Sequence, residues 1–303
     1  MTVTYEDVTS AAARIGGYVL RTPVLEISPG LFFKLEQLQH SGSFKVRGAF
    51  NRILSAGELP PSGVIAASGG NHGLAVAYAA RALGVRAEIF VPEVTSPVKV
   101  AGLRRLGAEI NQIGAIYSEA AEAAAKRAAE TGALTVHAYD QPEVVAGQGT
   151  TGLELMAQTG GVDTVVVAVG GGGFAAGITV GVGSGPRIVA VEPVLCPTLH
   201  EALRAGHPVP VQVSGVGADA LGASQVGGVA YDVLSRADVQ SVLVSDDAIV
   251  AARHALWQEH RLATEHAGAA AYAALLSGAY VPADGERVAV VVCGANTDPA
   301  TLA

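Results

Sequence analysis

From residue 64 onward, short runs rich in β-branched residues alternate with alanine-rich stretches, and this alternation restricts the fold more than any other feature. VIAAS at 64–68 runs into LAVAYAARAL, closed by Gly84, and AEIFV at 87–91 follows. Ser96 and Pro97 then offer a capping hydroxyl and a first-turn proline to a helix ending at Gly107. AEINQI, the helix SEAAEAAAKRAAE and LTVH at 134–137 complete a βαβαβ series with connections of ordinary length. A second series runs from a helix over 143–158 through TVVVAVG at 164–170 to RIVAVE at 187–192. Helices near 246–260 and 265–277 precede a last strand, RVAVVVC at 287–293. Parallel strands need crossover helices between them, so the alternation predicts an α/β chain with mostly parallel sheets in two units. The segment 206–228, rich in Gly, Pro, Val and Ser, has no period and reads as loop with short strands.

At 303 residues, 50% of them hydrophobic and 15% charged, the chain can bury one large core or two medium ones. Its 38 glycines show no repeat, which excludes collagen-like and disordered classes. The formal charge of -8 comes from scattered residues without a basic stripe, so no nucleic-acid partner is expected. Cys196 and Cys293 are too few for a disulfide framework and lack the spacing of a zinc site, which points to a reducing cytoplasm. The opening MTVTYEDVTSAAARIGG is acidic without an apolar core, and later apolar runs are strand-sized, so neither export nor membrane spanning is expected.

VVVAVGGGGFAAG at 165–177 is a strand, four glycines and a helix start. Glycines let backbone N–H groups converge on an anion and the helix N-terminus adds partial positive charge, so phosphate is the physical expectation. Read alone, Gly170, Gly172 and Ala175 also fit GxGxxA, with Glu192 about 20 residues on as a ribose ligand, which describes an NAD-dependent oxidoreductase. A tight turn without a ligand is the plainer alternative.

Two further loops bear on the choice. ASGGNHG at 67–73 exposes backbone N–H groups, the Ser68 hydroxyl and the Asn71 amide, a combination that grips a carboxylate and a ring substituent. CGAN at 293–296 sets a neutral thiol where parallel strands present ligand groups, at their carboxyl ends. SGSFKVRGA at 41–49 adds Lys45, in a chain where lysines are scarce. An amine, a carboxylate cradle, a phosphate cradle and a neutral partner for a ring nitrogen are together what pyridoxal phosphate requires. Several of these residues also have plainer readings: Asn71 as a helix N-cap, His72 as a capping or core histidine, Glu265 as a first-turn anion or a pocket group, Asp246 and Asp247 as helix-start residues.

In order along the chain, RTPVLE at 21, KLEQLQHSGSFKVRGA at 34, ASGGNHG, VAGQGTTGLEL at 145, VGGGGFAAG, VEP at 191, EHAGAA at 265 and CGAN cover nearly its whole length. The set resembles the serine/threonine dehydratase branch of fold-type II pyridoxal-phosphate enzymes, the threonine ammonia-lyase and serine racemase group. That resemblance implies a tryptophan synthase β-like fold of two open, twisted α/β domains, a large one from 1–51 and 139–303 and a small one from 52–138. It implies that Lys45 carries the cofactor covalently, that Phe44 packs near it, and that Asn71 bonds its ring hydroxyl. Gly170, Gly171, Gly172 and Gly173 would hold the phosphate and Cys293 would face the ring nitrogen. Ser68, Gly69, Gly70, Asn71 and His72 would take the substrate carboxylate. The implied activity is dehydration of a β-hydroxy-α-amino acid, L-threonine or L-serine foremost, to a 2-oxo acid and ammonia by a homodimer.

Departures from the family pattern sharpen this. Racemases of the group place a serine where this chain has Gly69, which favours elimination over racemisation. The family's cation site pairs a glutamate with an acidic residue six positions on; Glu192 matches the first, but Thr198 replaces the second, leaving a divalent ion, a monovalent ion or none. His266 stands where proline is usual. Replacement enzymes of the fold usually carry GTGGT at the phosphate loop, against GGGGF here. A racemase or β-replacement enzyme on the same fold and a catalytically silent amino-acid-binding module complete the alternatives.

Overall fold

Residues 2–302 are described by the computed structural model. They begin with α1 (Tyr5–Ile15), β1 (Val24–Ser28), β2 (Leu31–Leu35), α2 (Lys45–Ser55), β3 (Val64–Ala67), α3 (Asn71–Ala82), β4 (Ala87–Val91), α4 (Pro97–Arg105), β5 (Glu109–Gln112), α5 (Tyr117–Thr131) and β6 (Leu134–Thr135). They continue with α6 (Pro142–Thr159), β7 (Thr164–Ala168), α7 (Gly173–Val182), β8 (Arg187–Pro193), α8 (Thr198–Ala205), α9 (Ala218–Leu221), α10 (Gly228–Leu234), β9 (Val239–Val244), α11 (Asp246–His260), α12 (His266–Leu276) and β10 (Val288–Val292).

Two sheets result. One has the order β5-β4-β3-β6 with every pair parallel. The other has the order β1-β2-β10-β7-β8-β9 and is parallel except for the edge pair β1–β2, a hairpin turned by Pro29 and Gly30, the latter at φ 80. TVVVA of β7 and VAVVV of β10 are buried at every position, the continuous apolar pattern of strands covered on both faces.

Each sheet has its own core. One gathers round β7, β8 and β10 with α7 and α12; the other gathers round β3, β4 and α3. Val46, Ala49, Phe50 and Ile53 of α2 belong to the second core, while α2 also packs on α6. This helix therefore lies along the seam between the two cores, and its first residue is Lys45.

A buried ion network pins α2 in place. Arg47, Lys34 and Glu36 have no exposed surface. Arg47 donates to both Glu36 oxygens at 2.8 Å and to Glu154 Oε1 at 2.7 Å. Lys34 Nζ donates to Glu154 Oε2 at 2.7 Å, Gln158 Oε1 at 2.9 Å and the Thr22 carbonyl at 2.9 Å. Taking these charges out of water is expensive, and only this complete pairing offsets it. Burial pushes the Glu36 carboxyl up, but the charge and hydrogen bonds of Arg47, with help from Lys34 and Thr22, hold it below its ordinary value. The network joins β2, α2 and α6.

Three expectations change. The 206–228 segment holds no strand among the described residues; its regular piece is α9, one helical turn. Strand β6 stops at Thr135, although the Val136 N–H still reaches the Ile65 carbonyl at 3.0 Å. Asn71 is the first residue of α3 rather than its cap, which is Gly70. Among the described residues, no helix is long and apolar enough to cross a membrane.

Candidate active site

The loops after β3, β7 and β10 all leave the carboxyl ends of their strands and meet α2 between the sheets, where open α/β folds bind ligands. They surround an open cleft lined by Phe44, Lys45, Asn71, Gly170 to Gly173 and Cys293. Tyr139, Phe174 and Glu265 complete its wall. A roomier groove lies beneath α5, but its lining is mostly alanine, with Tyr117, Thr135 and His137 its polar side chains and no glycine loop or lysine beside them.

Lys45 is placed by backbone pairing of the two residues before it. The Phe44 N–H donates to the Cys293 carbonyl at 3.3 Å, and Ser43 bridges Gly294, so SGSFK runs beside CGAN. Lys45 Nζ donates to the Ala138 carbonyl at 2.7 Å and, among the described residues, has no carboxylate within ion-pair distance. Burial pulls this amine down to about 8, against the opposing influence of Cys293 and Glu265. Roughly one chain in ten then holds it as the neutral base at pH 7. Only the neutral amine attacks a carbonyl, so uptake of pyridoxal phosphate by the unloaded protein should accelerate about tenfold per pH unit below pH 8 and level off above it. Stopped-flow absorbance measures that rate, and a flat profile from pH 6 to 8 would contradict the assignment. The ring of Phe44 stacks on Phe174 at 3.7 Å between centroids.

The glycine loop cannot carry side chains. A Cβ at Gly171 would sit 2.4 Å from the Tyr139 ring, and one at Gly173 would sit 2.3 Å from the Tyr139 carbonyl. Gly172 has φ 84, a left-handed conformation in which a β-carbon is strained, and it caps α7 without any side-chain hydrogen bond. The first N–H groups of α7 thus lack a side-chain partner and face the cavity. An anion suits them.

Asn71 donates from Nδ2 to Glu265 Oε1 at 2.6 Å and accepts at Oδ1 from Asn296 Nδ2 at 2.7 Å. Glu265 is the N-cap of α12, yet its side chain makes no capping bond and turns to Asn71 instead. Burial lifts its carboxyl to about 7, against the Asn71 hydrogen bond. The Cys293 thiol donates to the Ala267 carbonyl at 3.5 Å, and burial, aided by the Glu265 charge, pushes it well above its ordinary range. It is a neutral group.

The remaining expected site residues divide. Gly70 caps α3 with no side-chain bond, leaving the N–H groups of that first turn for a carboxylate, and Ser68 Oγ accepts from the Gly70 N–H at 3.2 Å. A Cβ at Gly69 would meet Thr95 Cγ2 at 2.9 Å, so Thr95 occupies the space a serine there would need. His72 turns into the protein: its Nε2 lies 2.8 Å from the Val136 carbonyl, and burial, with the Lys45 charge, lowers it to about 3. It is held neutral.

Glu192 lies outside the cavity. It is fully buried and accepts from the Leu199 and His200 N–H groups, both at 2.7 Å. The Thr198 hydroxyl lies 3.0 Å from it and 2.7 Å from the Gly170 carbonyl. Glu192 therefore holds the start of α8, whose Thr198 reaches the glycine loop, an occupation that leaves no ribose ligand for a dinucleotide. No cluster of three or more His, Cys, Asp or Glu side chains suited to a metal occurs among the described residues.

Sequence reasoning missed Tyr139, whose ring covers Gly171. It is set by His137 Nδ1, which accepts from the Tyr139 and Asp140 N–H groups at 3.2 and 2.9 Å. Thr95 and Asn296 also went unread, because neither their spacing nor their type marks them.

An anion cradle, a buried amine near neutrality and a neutral thiol around one cleft define the site of a fold-type II pyridoxal-phosphate enzyme, and the residues present fit that cofactor. The sequence pattern of the family described as "Pyridoxal-phosphate dependent enzyme" matches residues 15–294, and the chain belongs to that family. It is similar to an L-threonine ammonia-lyase of Thermotoga maritima, 36% identical over 98% of this chain and 76% of that one. It is also similar to a phenylserine dehydratase of Ralstonia pickettii, 36% identical over 100% of this chain and 97% of the other. Among solved structures, maize serine racemase superimposes with a TM-score of 0.92 at 30% identity, covering 100% of this chain and 96% of that one.

Proposed function

We propose that this protein is a pyridoxal-phosphate-dependent ammonia-lyase that dehydrates a β-hydroxy-α-amino acid, L-threonine or L-serine first, to a 2-oxo acid and ammonia. The observation that carries the reading is the meeting of Lys45, the Gly170–Gly173 loop, Asn71 and Cys293 around one cavity. The activities named for the lyase and dehydratase relatives support it.

The cofactor, held by Lys45, Asn71, the glycine loop and Cys293, supplies when bound a sink for the charge that develops at the substrate Cα. Lys45 Nζ, as a neutral base, would take the Cα proton. The N–H groups at the start of α3 and the Ser68 hydroxyl hold the substrate carboxylate. Cys293, uncharged, would face a ring nitrogen without a carboxylate to keep it protonated, and the proton that Lys45 takes from Cα balances the β-hydroxyl, which leaves as water. Gly69 offers no acid or base on the side away from Lys45, and Thr95 fills that space, which disfavours racemisation.

Residues 52–138 serve in this reading as the smaller domain and the working assembly is a cytoplasmic homodimer, testable by light scattering. Glu192 is assigned to holding α8 rather than a mono- or divalent cation. The loaded protein, offered a panel of hydroxy amino acids of both configurations, should release 2-oxo acid and ammonia in equal amounts from L-threonine or L-serine. Interconversion of enantiomers without oxo acid would make it a racemase. Binding without turnover would make it a replacement enzyme or a silent binding module.

A further inference from the structure

The amide of Asn71 has two possible orientations, and its neighbours allow only one. Asn296 Nδ2 donates to the Ser41 carbonyl at 2.8 Å. A backbone carbonyl can only accept, so this contact fixes which end of the Asn296 amide is the donor. The same nitrogen faces Asn71 at 2.7 Å, so Asn71 must answer with its oxygen. Its nitrogen then faces Glu265 Oε1 at 2.6 Å, a carboxyl oxygen that accepts. Both ends of the chain of bonds agree. One N–H of Asn71 has no partner among the described residues, on a side chain that lines the cavity.

Two glycines make room for the arrangement. A Cβ at Gly42, where φ is 77, would lie 2.6 Å from Asn296 Oδ1, and one at Gly294 would lie 2.3 Å from Glu265 Oε1. These account for glycines in SGSFK and CGAN that holding a cofactor leaves unexplained.

We infer that Asn296 and Glu265 are positioning residues that fix the polarity of Asn71, so that it presents an N–H and not a carbonyl to an acceptor oxygen on the bound ligand. The inference rests on the functional reading above, in which that oxygen is the cofactor's ring substituent. A flipped amide would set two acceptors against each other and reverse a hydrogen bond into a repulsion.

Asn296→Asp keeps the shape but replaces the donor with an acceptor, facing both the Ser41 carbonyl and Asn71. Cofactor Kd by absorbance titration and the position of the visible band are the readouts, with thermal midpoints of the unloaded proteins as the fold control. Asn296→Asp should weaken cofactor binding by about tenfold or more and shift the band, and Asn296→Ala, which merely frees Asn71, should do less. Glu265→Gln, which can still accept from Asn71, should keep the wild-type band and a Kd within about twofold, whereas Glu265→Leu should lose about tenfold. If Asn296→Asp does not fold, the Glu265 pair decides alone. Equal effects of the Asp and Ala variants without a band shift, or equal effects of Gln and Leu, would overturn the inference and leave the functional reading standing. Wild-type protein that takes up no cofactor would overturn that reading instead, and this inference with it.

Discussion

Lys45→Ala should be colourless after incubation with pyridoxal phosphate and should release 2-oxo acid at least about a thousandfold more slowly than the wild type, because no other amine lines the cavity. Its fold should survive. The Nζ contributes one bond, to the Ala138 carbonyl, while the rest of α2 is held by Arg47 and by Phe50 and Ile53 in the core. A thermal midpoint close to wild type, alongside lost colour and turnover, separates a reacting amine from a structural one. Lys45→Arg should behave like the alanine variant in turnover, since a guanidinium does not become a neutral base near pH 7.

The largest stability effect is expected two residues away. Arg47→Ala leaves Glu36, with no exposed surface, without its main partner and removes a partner of Glu154, and should cost about 3–5 kcal/mol in denaturant unfolding. Its pH dependence has a definite sign. In the wild type Glu36 is held below its ordinary value, so its contribution is present above the unfolded carboxylate range and is lost as pH falls through the depressed value. Without Arg47, burial governs and lifts Glu36, and stability is then lost as pH rises. The deficit of Arg47→Ala should therefore narrow between about pH 8 and pH 5. Arg47→Lys, which keeps the charge and loses the two-pronged contact, should fall between.

The alternation of β-branched and alanine-rich segments was enough to foresee two parallel sheets, because crossover helices follow from strand direction alone. The hairpin at Pro29 and Gly30 and the edge strand β9 were harder: β9 reads VQSVLV, only partly apolar, and pairs on one side only. In 206–228, the turn of helix at Ala218–Leu221 carries no cap and no period, so its conformation comes from packing against Gly170 and not from local preference.

The site was legible where a residue type is chemically demanding. Lysine behind SGSF, four glycines after a strand and a lone thiol at a strand end each state a requirement. Tyr139, Thr95 and Asn296 do not, since their parts depend on who faces them across the fold. Glu192 shows the opposite case: a carboxylate at a strand end looks like a ligand, and the structure turns it onto the N-terminus of α8. By sequence Glu265 fits both a helix anion and a pocket group; its missing cap bond and its contact with Asn71 put it in the pocket.

The most direct test rests on the chain having four lysines, Lys34, Lys45, Lys99 and Lys126, any of which could carry an aldehyde. The loaded wild-type protein is reduced with borohydride, digested and mapped by mass spectrometry. A reduced pyridoxyl group is expected on Lys45 in close to one copy per chain. A label on any of the other three lysines, or none at all, would contradict that assignment.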